Sequence, residues 1–302
     1  MNKVLLDFIG QYKEKVDLGI EQELERRLEE VRDISPHLVP ILEAMKELSV
    51  GGKRHRAMLV ILGYQLAGEN MVSPLQEIIR AGVMMEIFHL GLLIQDDFMD
   101  RDIVRRGVKT IQMRYEDRHV GESVAMLAGD YTFGWGIEII TNLKFPACAG
   151  KSNSQIVDAM KVWGKYFTRV GYGQTLDGLD IADDETILKI LRIKSGEYSC
   201  VLPLLLGATL GEADKVLLDK LEKYGMELGW VFQLRDDWLG YDKDMAKKGK
   251  KTYATMYGRE KTEGAITEHM KEAKSQIINS QILKLSKQVM IELVEWMGTR
   301  EN

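Results

Sequence analysis

The chain has 302 residues, of which 45% are hydrophobic and 29% charged, and its formal net charge is −5 at pH 7. This composition is typical of a globular protein with a sizeable core, and the acidic net charge argues against a general nucleic-acid-binding surface. Two cysteines predict no disulfide framework, no apolar run is long enough to cross a bilayer, and we therefore expect a cytoplasmic protein.

Apolar residues recur every three or four positions along most of the chain, and only five prolines interrupt this pattern. No alternation typical of strands occurs, and no linker-like segment divides the chain. The pattern predicts an all-α chain that forms one domain over residues 1–302. Its helices are predicted at about 3–33, 36–48, 58–66, 74–94, 123–143, 155–170, 183–195, 212–239, 259–276 and 278–297. An apolar run that Pro203 interrupts follows the helix at about 183–195.

One predicted helix ends in a cluster of aspartates. The apolar run from Ile87 to Ile94 is followed by Asp96, Asp97 and Asp100. On a helix these three side chains point to about 0°, 100° and 40°, and they therefore share one face. Buried carboxylates repel one another and resist desolvation unless a cation lies among them. The pattern favours a divalent-metal site, although a solvated helix end would also accommodate acidic side chains.

The helix predicted near 212–239 ends in a second acidic pair, Asp236 and Asp237. Two such helix ends in a bundle can face each other across a cavity. Carboxylate ligands with few imidazoles suit Mg²⁺, which keeps water ligands and usually binds substrate phosphates as well. The two acidic helix ends together predict a magnesium site that receives a phosphorylated substrate.

Two basic clusters lie beside glycines. They are Gly51-Gly52-Lys53-Arg54-His55-Arg56 and Arg105-Arg106-Gly107. A glycine lets the backbone approach a phosphate closely, while guanidinium groups bind the phosphate oxygens in pairs. For each cluster alone a solvated surface is the better interpretation, but together with two acidic pairs in the same chain diphosphate binding becomes the better one.

Seven short motifs occur in the order found in the trans-isoprenyl diphosphate synthases, or polyprenyl synthetases, and the resemblance covers nearly the whole chain. The family patterns are GGKRxRP, DDxxD with RRG, LxGDY, GQxxD, a Lys-Thr/Ser pair, FQxxDD and KxTY. The matching segments are Gly51–Arg56 (with Ala57 in place of the proline), Asp96–Asp100 with Arg105–Gly107, Leu127–Tyr131, Gly173–Asp177, Lys194-Ser195, Phe232–Asp237 and Lys250–Tyr253. The resemblance implies a bundle of long antiparallel helices around a central cavity, and a homodimer.

The resemblance also implies a Mg²⁺-dependent prenyltransferase. Such an enzyme condenses isopentenyl diphosphate with an allylic diphosphate (dimethylallyl, geranyl or farnesyl), head to tail, and releases diphosphate. About three Mg²⁺ ions would be held by Asp96, Asp100 and Asp236. Asp97 and Asp237 would be either further ligands or residues that contact the ligands rather than the metal. The metal neutralises charge on the departing diphosphate. The allylic cation that remains is attacked by the double bond of isopentenyl diphosphate, and loss of a proton completes the reaction.

Binding roles follow from the same resemblance. The isopentenyl diphosphate clamp would consist of Gly52, Lys53, Arg56, His89 and Arg106. The allylic diphosphate would be bound by Arg105 and Lys194. The Ser195 hydroxyl and Gln233 would place dipoles near the allylic cation, and either Lys250 or Lys247 would bind phosphate. Without the resemblance, a core histidine with satisfied hydrogen bonds would be the better interpretation of His89.

The second acidic motif departs from the family pattern. Gly240 stands where many relatives have a third aspartate. Asp244 lies eight residues after Asp236, about 80° around a helix, and would compensate if the helix continued, but we expect Gly240 to end it. Only the segment Asp242–Gly249 remains of a longer family loop. A non-catalytic regulatory subunit of a prenyl synthase is therefore an alternative function.

The helix before Asp96 is expected to limit the length of the product. One isoprene unit is about as long as a helical turn of about 5.4 Å, so the product should extend along this helix. Gly91 and Leu92, five and four residues before Asp96, leave the first turn open. Phe88, one turn deeper, would form a floor for a product near C20, although it would equally suit the core. Trp135 is another candidate plug.

A di-iron carboxylate bundle is a third interpretation. Glu86 and His89, and likewise Glu116 and His119, have the Glu-x-x-His spacing of such proteins. The second pair lies in a polar segment without an apolar face, and the basic clusters have no role in a di-iron site.

Overall fold

The computed structural model describes residues 3–68, 75–145, 154–179, 181, 183–246, 251–278 and 284–301. Nearly all of these residues are helical, which confirms the predicted all-α class. The α-helices are α1 (Lys3–Ile34), α2 (Val39–Ser49), α3 (His55–Ala67), α4 (Leu75–Met99), α5 (Arg118–Thr141), α6 (Ser154–Gly178), α7 (Asp184–Leu191), α8 (Leu202–Leu210), α9 (Lys215–Ala246), α10 (Tyr253–Tyr257), α11 (Arg259–Ile278) and α12 (Lys284–Thr299). None of the described helices combines the length and apolar character needed to cross a bilayer.

The described residues form two compact units. Residues 11–58 and 75–145 make up the first, which we name the α4 unit. Residues 3–10, 59–68 and those described from 154 onward make up the second, which we name the α9 unit. The expectation of one domain over residues 1–302 stays a prediction.

In the α4 unit, α4 and α5 approach closely because glycines lie at their contact. A Cβ atom added to Gly91 would overlap Thr132 and lie 2.8 Å from the carbonyl oxygen of Gly129. A Cβ atom added to Gly129 would lie 2.5 Å from the side chain of Gln95. This close contact fixes the rotation of α4 about its axis. As a result Asp97 is buried, Asp96 is half-buried and the acidic end of α4 has one defined orientation.

A small antiparallel hairpin follows α4, with β1 at Val104–Arg105 and β2 at Val108–Lys109. The sequence predicts no strand, because strands of two residues are too short to produce an alternating pattern. Arg106 and Gly107 form the turn with φ angles of 52° and 83°. Two successive residues with positive φ are typical of a type I′ hairpin turn, which explains the glycine after the two arginines.

In the α9 unit, a π-helix at Arg192–Val201 separates α7 from α8. The sequence predicts only a helix to about 195 and an interruption at Pro203. Proline lacks an N–H group, and its ring would clash with the carbonyl four residues earlier in a regular α-helix, so wider turns before it relieve the conflict. Gly229 of α9 lies against this segment, since a Cβ atom there would be 3.1 Å from the carbonyl oxygen of Ser195.

The helix α9 does not end at Gly240. It continues to Ala246, so the expectation that Gly240 ends it is wrong. A glycine inside a helix costs about 1 kcal/mol relative to alanine, and tertiary contacts readily outweigh this cost. Arg259 at the start of α11 supplies such contacts, because it pairs with Asp242 at 2.9 Å and its Cζ lies 5.1 Å from the ring centroid of Tyr241.

Candidate active site

The acidic end of α4 holds a buried carboxylate. Only 1% of the Asp97 side chain is exposed, and its Oδ1 atom accepts a hydrogen bond from Nε of Arg105. Its Oδ2 atom is buried and accepts no hydrogen bond from the described residues. Burial raises the pKa of Asp97 to about 6, against the lowering effect of Arg105, and Asp102 and Asp96 add to the increase. A buried oxygen with unused lone pairs is suited to a cation.

Arg105 lies among the acids of this cluster. Its Nη2 atom is 3.7 Å from Oδ2 of Asp96 and 3.8 Å from Oδ2 of Asp102. Gln112, which belongs to none of the sequence motifs, donates from Nε2 to the carbonyl oxygens of Asp97 at 3.0 Å and Asp102 at 2.7 Å. The amide of Gln112 therefore fixes the end of α4, and one guanidinium group balances part of the acidic charge.

The two glycine-flanked basic segments meet within the α4 unit. Arg106 donates from Nη1 to the carbonyl oxygens of Leu48 at 3.1 Å and Val50 at 3.2 Å. Gly52 has a φ of 100°, and a Cβ atom added to it would lie 3.3 Å from Nη2 of Arg106. The hairpin turn is therefore attached to the loop before α3, and Lys53 is exposed beside it.

Arg54 is buried inside the α4 unit rather than exposed at its surface. It donates from Nε to Oδ1 of Asp17 at 2.6 Å and from Nη2 to the carbonyl oxygen of Ser49 at 2.7 Å, and its Nη1 lies 3.6 Å from Glu86. Glu86 also accepts a hydrogen bond from the backbone N–H of Ala57 at 3.1 Å, near the start of α3. Glu86 thus holds α3 and Arg54 in place, a role that the di-iron interpretation does not explain.

The surroundings of His89 are strongly positive. Burial lowers the pKa of His89 well below its usual value of 6.5, and the nearby side chains of Arg56, His55, Arg106 and Arg105 lower it further. The imidazole is therefore neutral near pH 7. Three arginines around one half-buried histidine produce a positive potential that favours binding of a multiply charged anion.

The predicted chain-length residues on α4 lie against α5. Phe88 is fully buried, and its ring centroid is 5.4 Å from that of Phe133, with the two ring planes tilted by 54°. Gly91 lies at the close contact with Thr132, and Leu92 is half-buried. Phe88 therefore occupies a core position between two helices, and its role as the floor of a product pocket stays a prediction.

Trp135 lies where α5 faces α1. The Cζ atom of Arg27 is 5.2 Å from the Trp135 ring centroid, and Nη2 of Arg27 lies 2.8 Å from Oε2 of Glu138. The indole is therefore part of the contact between these two helices. Its role as a plug stays a prediction.

Asp237 is the centre of a hydrogen-bonded chain in the α9 unit. Its Oδ1 atom accepts from Nε2 of Gln233 at 2.7 Å, and its Oδ2 atom accepts from the backbone N–H of Tyr253 at 2.8 Å. The hydroxyl of Ser195 donates to Oε1 of Gln233. Burial raises the pKa of Asp237 to about 6, although both hydrogen bonds act in the opposite direction. Hydrogen bonds therefore link three predicted site residues, Ser195, Gln233 and Asp237. Asp237 also positions the start of α10 through the N–H group of Tyr253.

Asp236 is half exposed and is held by Arg300. The Nη2 atom of Arg300 donates to Oδ1 of Asp236 at 2.6 Å, and 6% of the Arg300 side chain is exposed. Arg300 belongs to none of the sequence motifs, and no pattern in the sequence pointed to it. Each predicted metal-binding motif thus pairs with an arginine outside its own helix, Arg105 in the hairpin after α4 and Arg300 directly after α12.

Lys194 lies on the π-helix beside Ser195. Its Nζ atom donates to Oδ2 of Asp177 at 2.5 Å, so that the aspartate of the GQxxD motif orients this lysine. Lys250 and Lys247 lie outside the described residues, and their phosphate-binding roles stay predictions.

In each unit taken by itself, the donor atoms fit a metal that binds together with its substrate. Among the residues that the structure describes, no three acidic, histidine or cysteine side chains converge into a metal site of their own. Magnesium is commonly held by one or two carboxylates, with phosphate oxygens and water completing its octahedron. The unpaired Oδ2 of Asp97 and the half-exposed carboxylates of Asp96 and Asp236 suit this type of binding.

A family model described as polyprenyl synthetase matches residues 39–295. A chloroplastic geranylgeranyl pyrophosphate synthase of Capsicum annuum is 31% identical over 285 residues, which cover 88% of this chain and 73% of the relative. A geranylgeranyl diphosphate synthase of Saccharolobus solfataricus is 29% identical over 219 residues, 71% of this chain, and the match spans 61% of that relative.

Solved structures show the same fold. A geranylgeranyl pyrophosphate synthase from Corynebacterium glutamicum, complexed with isoprenyl diphosphate and magnesium, superimposes with a TM-score of 0.84 at 22% identity and covers 96% of this chain and 99% of its own. A geranyltransferase from Legionella pneumophila gives a TM-score of 0.75 at 25% identity, and the match covers 99% of this chain and 98% of the geranyltransferase. The chain therefore belongs to the polyprenyl synthetase family, the trans-isoprenyl diphosphate synthases, and is a prenyltransferase that resembles geranylgeranyl diphosphate synthases.

Proposed function

We propose that this prenyltransferase condenses isopentenyl diphosphate with an allylic diphosphate, head to tail, and releases diphosphate together with a product near C20. One observation carries the proposal. In the α4 unit, the arginines around His89 lie beside an acidic helix end whose Asp97 has an unpaired buried oxygen. Cations for a diphosphate and carboxylates for its metal are thus present together.

We assign the metal to Mg²⁺, with about three ions bound along with substrate. Asp96 and Asp100 would hold metal in the α4 unit and Asp236 in the α9 unit, with Asp97 and Asp237 as further ligands or positioning groups. When bound, the metal neutralises the charge that develops on the departing diphosphate.

The basic residues have separate tasks. Lys53, Arg56 and Arg106 bind the diphosphate of isopentenyl diphosphate, and the backbone at Gly52 allows its close approach. His89 is neutral before substrate binds and donates one hydrogen bond to a phosphate oxygen.

We assign binding of the allylic diphosphate to Arg105, and the family resemblance gives Lys194 the same role. Both are paired with aspartates before substrate arrives, Arg105 with Asp97 and Lys194 with Asp177. These pairs hold each cation in place and are exchanged for phosphate oxygens on binding.

Ser195 and Gln233 stabilise the allylic cation. Gln233 donates to Asp237 through its amide nitrogen and accepts from Ser195 through its amide oxygen, so that the orientation of the amide is fixed. Oxygen dipoles that are oriented before the reaction stabilise a developing positive charge without reorganisation.

We assign the product length from the distance along α4 between Asp96 and Phe88. Its ring, together with that of Phe133, lies two helical turns before Asp96 and forms the floor of the product pocket. Relatives of this chain include proteins named geranylgeranyl, geranylfarnesyl and farnesyl diphosphate synthases. A floor at Phe88 favours the first of these product classes.

We further propose a cytoplasmic homodimer. The presence of only two cysteines is typical of proteins from reducing compartments, and the dimer follows from the family resemblance. Light scattering during size-exclusion chromatography measures the assembly directly, and a mass near 34.4 kDa would contradict the dimer.

The decisive assay uses the purified protein alone with Mg²⁺, isopentenyl diphosphate and, in separate reactions, dimethylallyl, geranyl or farnesyl diphosphate. We expect release of diphosphate and a chromatographic product near C20. The double variant Asp96→Asn/Asp100→Asn, checked for folding by circular dichroism, should lose at least about 100-fold in rate. No diphosphate release by the folded wild-type protein would overturn the proposal in favour of a regulatory subunit.

A further inference from the structure

The π-helix of the α9 unit contains a buried glutamate that has no part in the reaction proposed above. Glu197 lies two residues after Ser195, and only 4% of its side chain is exposed. Arg169 on α6 donates to both carboxylate oxygens, from Nε to Oε2 and from Nη2 to Oε1 at 2.8 Å. Two parallel hydrogen bonds from one guanidinium group fix the orientation of the carboxylate as well as its distance. The pair therefore attaches the π-helix to α6 in a defined orientation.

The same face of α6 contacts the π-helix at two further points. Residues 169, 173 and 177 are separated by four and lie along one face of α6. A Cβ atom added to Gly173 would be 2.8 Å from Cγ2 of Ile193 and 3.4 Å from Cγ of Lys194. Asp177 accepts the hydrogen bond from Nζ of Lys194 at 2.5 Å. An arginine, a close backbone contact and an aspartate thus follow one another along the contact.

The opposite side of the π-helix packs on α9. A Cβ atom added to Gly229 would be 2.2 Å from the Cα atom of Gly196, so the two backbones are in direct contact. Ser195, which precedes this contact, donates its hydroxyl hydrogen bond to Gln233. The π-helix is therefore packed between two helices, and each helix contacts one of the two predicted site residues that the π-helix carries.

The positions of Lys194 and Ser195 depend on the π-helical register. A π-helix pairs residues five apart, whereas an α-helix pairs residues four apart. Conversion of one π turn into an α turn would rotate the residues on one side of it by about 100° relative to those on the other side. Such a rotation would also separate Glu197 from Arg169 and leave a buried carboxylate without its main partner, which is unfavourable. The pair therefore favours the register that the structure shows.

We propose that Arg169 and Glu197 form a positioning pair, which holds the π-helical register and thereby presents Lys194 to the allylic diphosphate and Ser195 to the allylic cation. The inference rests on the proposed function, because the tasks of Lys194 and Ser195 are assigned there. Glu197 acts through the backbone of the π-helix, and Arg169 acts through Glu197. Both lie outside the seven sequence motifs.

The test combines steady-state kinetics with a measurement that does not need turnover. The variants are Glu197→Gln, Arg169→Met and the double variant Arg169→Met/Glu197→Gln, which contains neither charge of the pair. Amide hydrogen exchange of residues 192–201, measured by mass spectrometry on the free protein, reports the stability of the π-helix. We expect several-fold faster exchange there in all three variants.

The kinetic effect should fall on one substrate. We expect kcat to decrease by about 10- to 100-fold, because small displacements of catalytic groups have effects of this size. The KM for farnesyl diphosphate should increase several-fold with the displacement of Lys194, while the KM for isopentenyl diphosphate should stay at the wild-type value. The double variant should resemble the single variants, because all three break the same contact.

The matched control is Tyr166→Phe on the same helix. The hydroxyl of Tyr166 donates to Oε1 of Glu222 at 2.7 Å and joins α6 to α9 rather than to the π-helix. This variant loses a hydrogen bond between helices but keeps both hydrogen bonds of Glu197. Its kcat and its exchange rates at residues 192–201 should equal those of the wild type.

Wild-type exchange rates at residues 192–201 in folded Glu197→Gln would overturn the inference, and so would an equal loss of kcat in Tyr166→Phe. If a single variant does not fold, the double variant decides by the same two measurements. A wild type without condensing activity would overturn the proposed function alone, since faster exchange in Glu197→Gln would still support the role of the pair in the π-helix.

Discussion

Arg300 at the end of α12 donates a hydrogen bond from Nη2 to Oδ1 of Asp236 at 2.6 Å, across 64 residues of sequence. The same atom donates to the carbonyl oxygen of Phe232 at 3.1 Å, and the Cζ atom lies 4.6 Å from the Phe232 ring centroid. Arg235 in turn donates from Nε to the carbonyl oxygen of Arg300 at 2.7 Å. The orientation of a predicted metal ligand on α9 therefore depends on the last helix.

Replacing Arg300 by alanine should affect both stability and metal dependence. Loss of a buried, charged hydrogen bond should reduce the free energy of unfolding by about 1–3 kcal/mol in urea titrations. The carboxylate of Asp236 would lose its fixed orientation, so half-maximal activity should require several-fold more Mg²⁺. Arg300→Lys should recover only part of each effect, because lysine lacks the planar donor pair.

The control for Arg300 is Arg118→Ala, which removes an exposed pair with Glu122 within α5. Exposed pairs of this kind contribute about 0.3–0.5 kcal/mol, so neither measurement should change appreciably. An Arg300→Ala variant with wild-type Mg²⁺ dependence would show that this arginine has only a structural role.

Arg54 and Lys53 are adjacent in sequence but should respond in opposite ways to mutation. Arg54→Ala removes the arginine that faces the buried Glu86 and one of the two cations that pair with Asp17, and removing one member of a buried pair costs about 3–5 kcal/mol. Lys53 is exposed, so Lys53→Ala should change the free energy of unfolding by less than about 0.5 kcal/mol. The lysine variant should instead raise the KM for isopentenyl diphosphate, measured by steady-state kinetics. Equal destabilisation by the two substitutions would contradict this division of roles.

Residue types and spacing alone predict the helices, the two acidic ends and the basic clusters, because each depends on local periodicity. They do not reveal that Arg54 faces inward, since its partner Asp17 is 37 residues away. The same limit applies to Arg300, whose partner lies on another helix. The continuation of α9 past Gly240 depends on contacts of Arg259 with α9, and no local propensity contains that information.

Binding of diphosphate should transfer a proton to His89. In the free protein its pKa lies well below 6.5, because burial and the neighbouring arginines disfavour the imidazolium ion. A bound anion favours the imidazolium ion and raises this pKa, so the complex holds more protons than the free protein. The affinity for diphosphate should therefore increase as the pH falls through the raised pKa of His89 in the complex, and it should level off below the pKa of the free protein. Calorimetry without added metal, in buffers of different ionisation enthalpy, measures the proton uptake.

The His89→Gln variant separates this effect from titration of the ligand itself. Glutamine keeps a hydrogen-bond donor but does not titrate. The variant should therefore take up fewer protons than the wild type when diphosphate binds. His119→Gln, which changes an exposed histidine of the same unit, should behave as the wild type does. Identical proton uptake in wild type and His89→Gln would place the diphosphate away from His89.

Phe88→Ala should lengthen the product. The variant removes a fully buried ring that packs on Phe133, and it opens the space one turn deeper along α4. A cavity of this kind costs about 3–5 kcal/mol of stability, so assays are best run well below the unfolding temperature. Chromatography of the dephosphorylated products should show a shift beyond C20. Phe167→Ala on α6, which disrupts an aromatic pair with Trp163, should leave the product unchanged. An unaltered distribution from folded Phe88→Ala would assign Phe88 to the core alone.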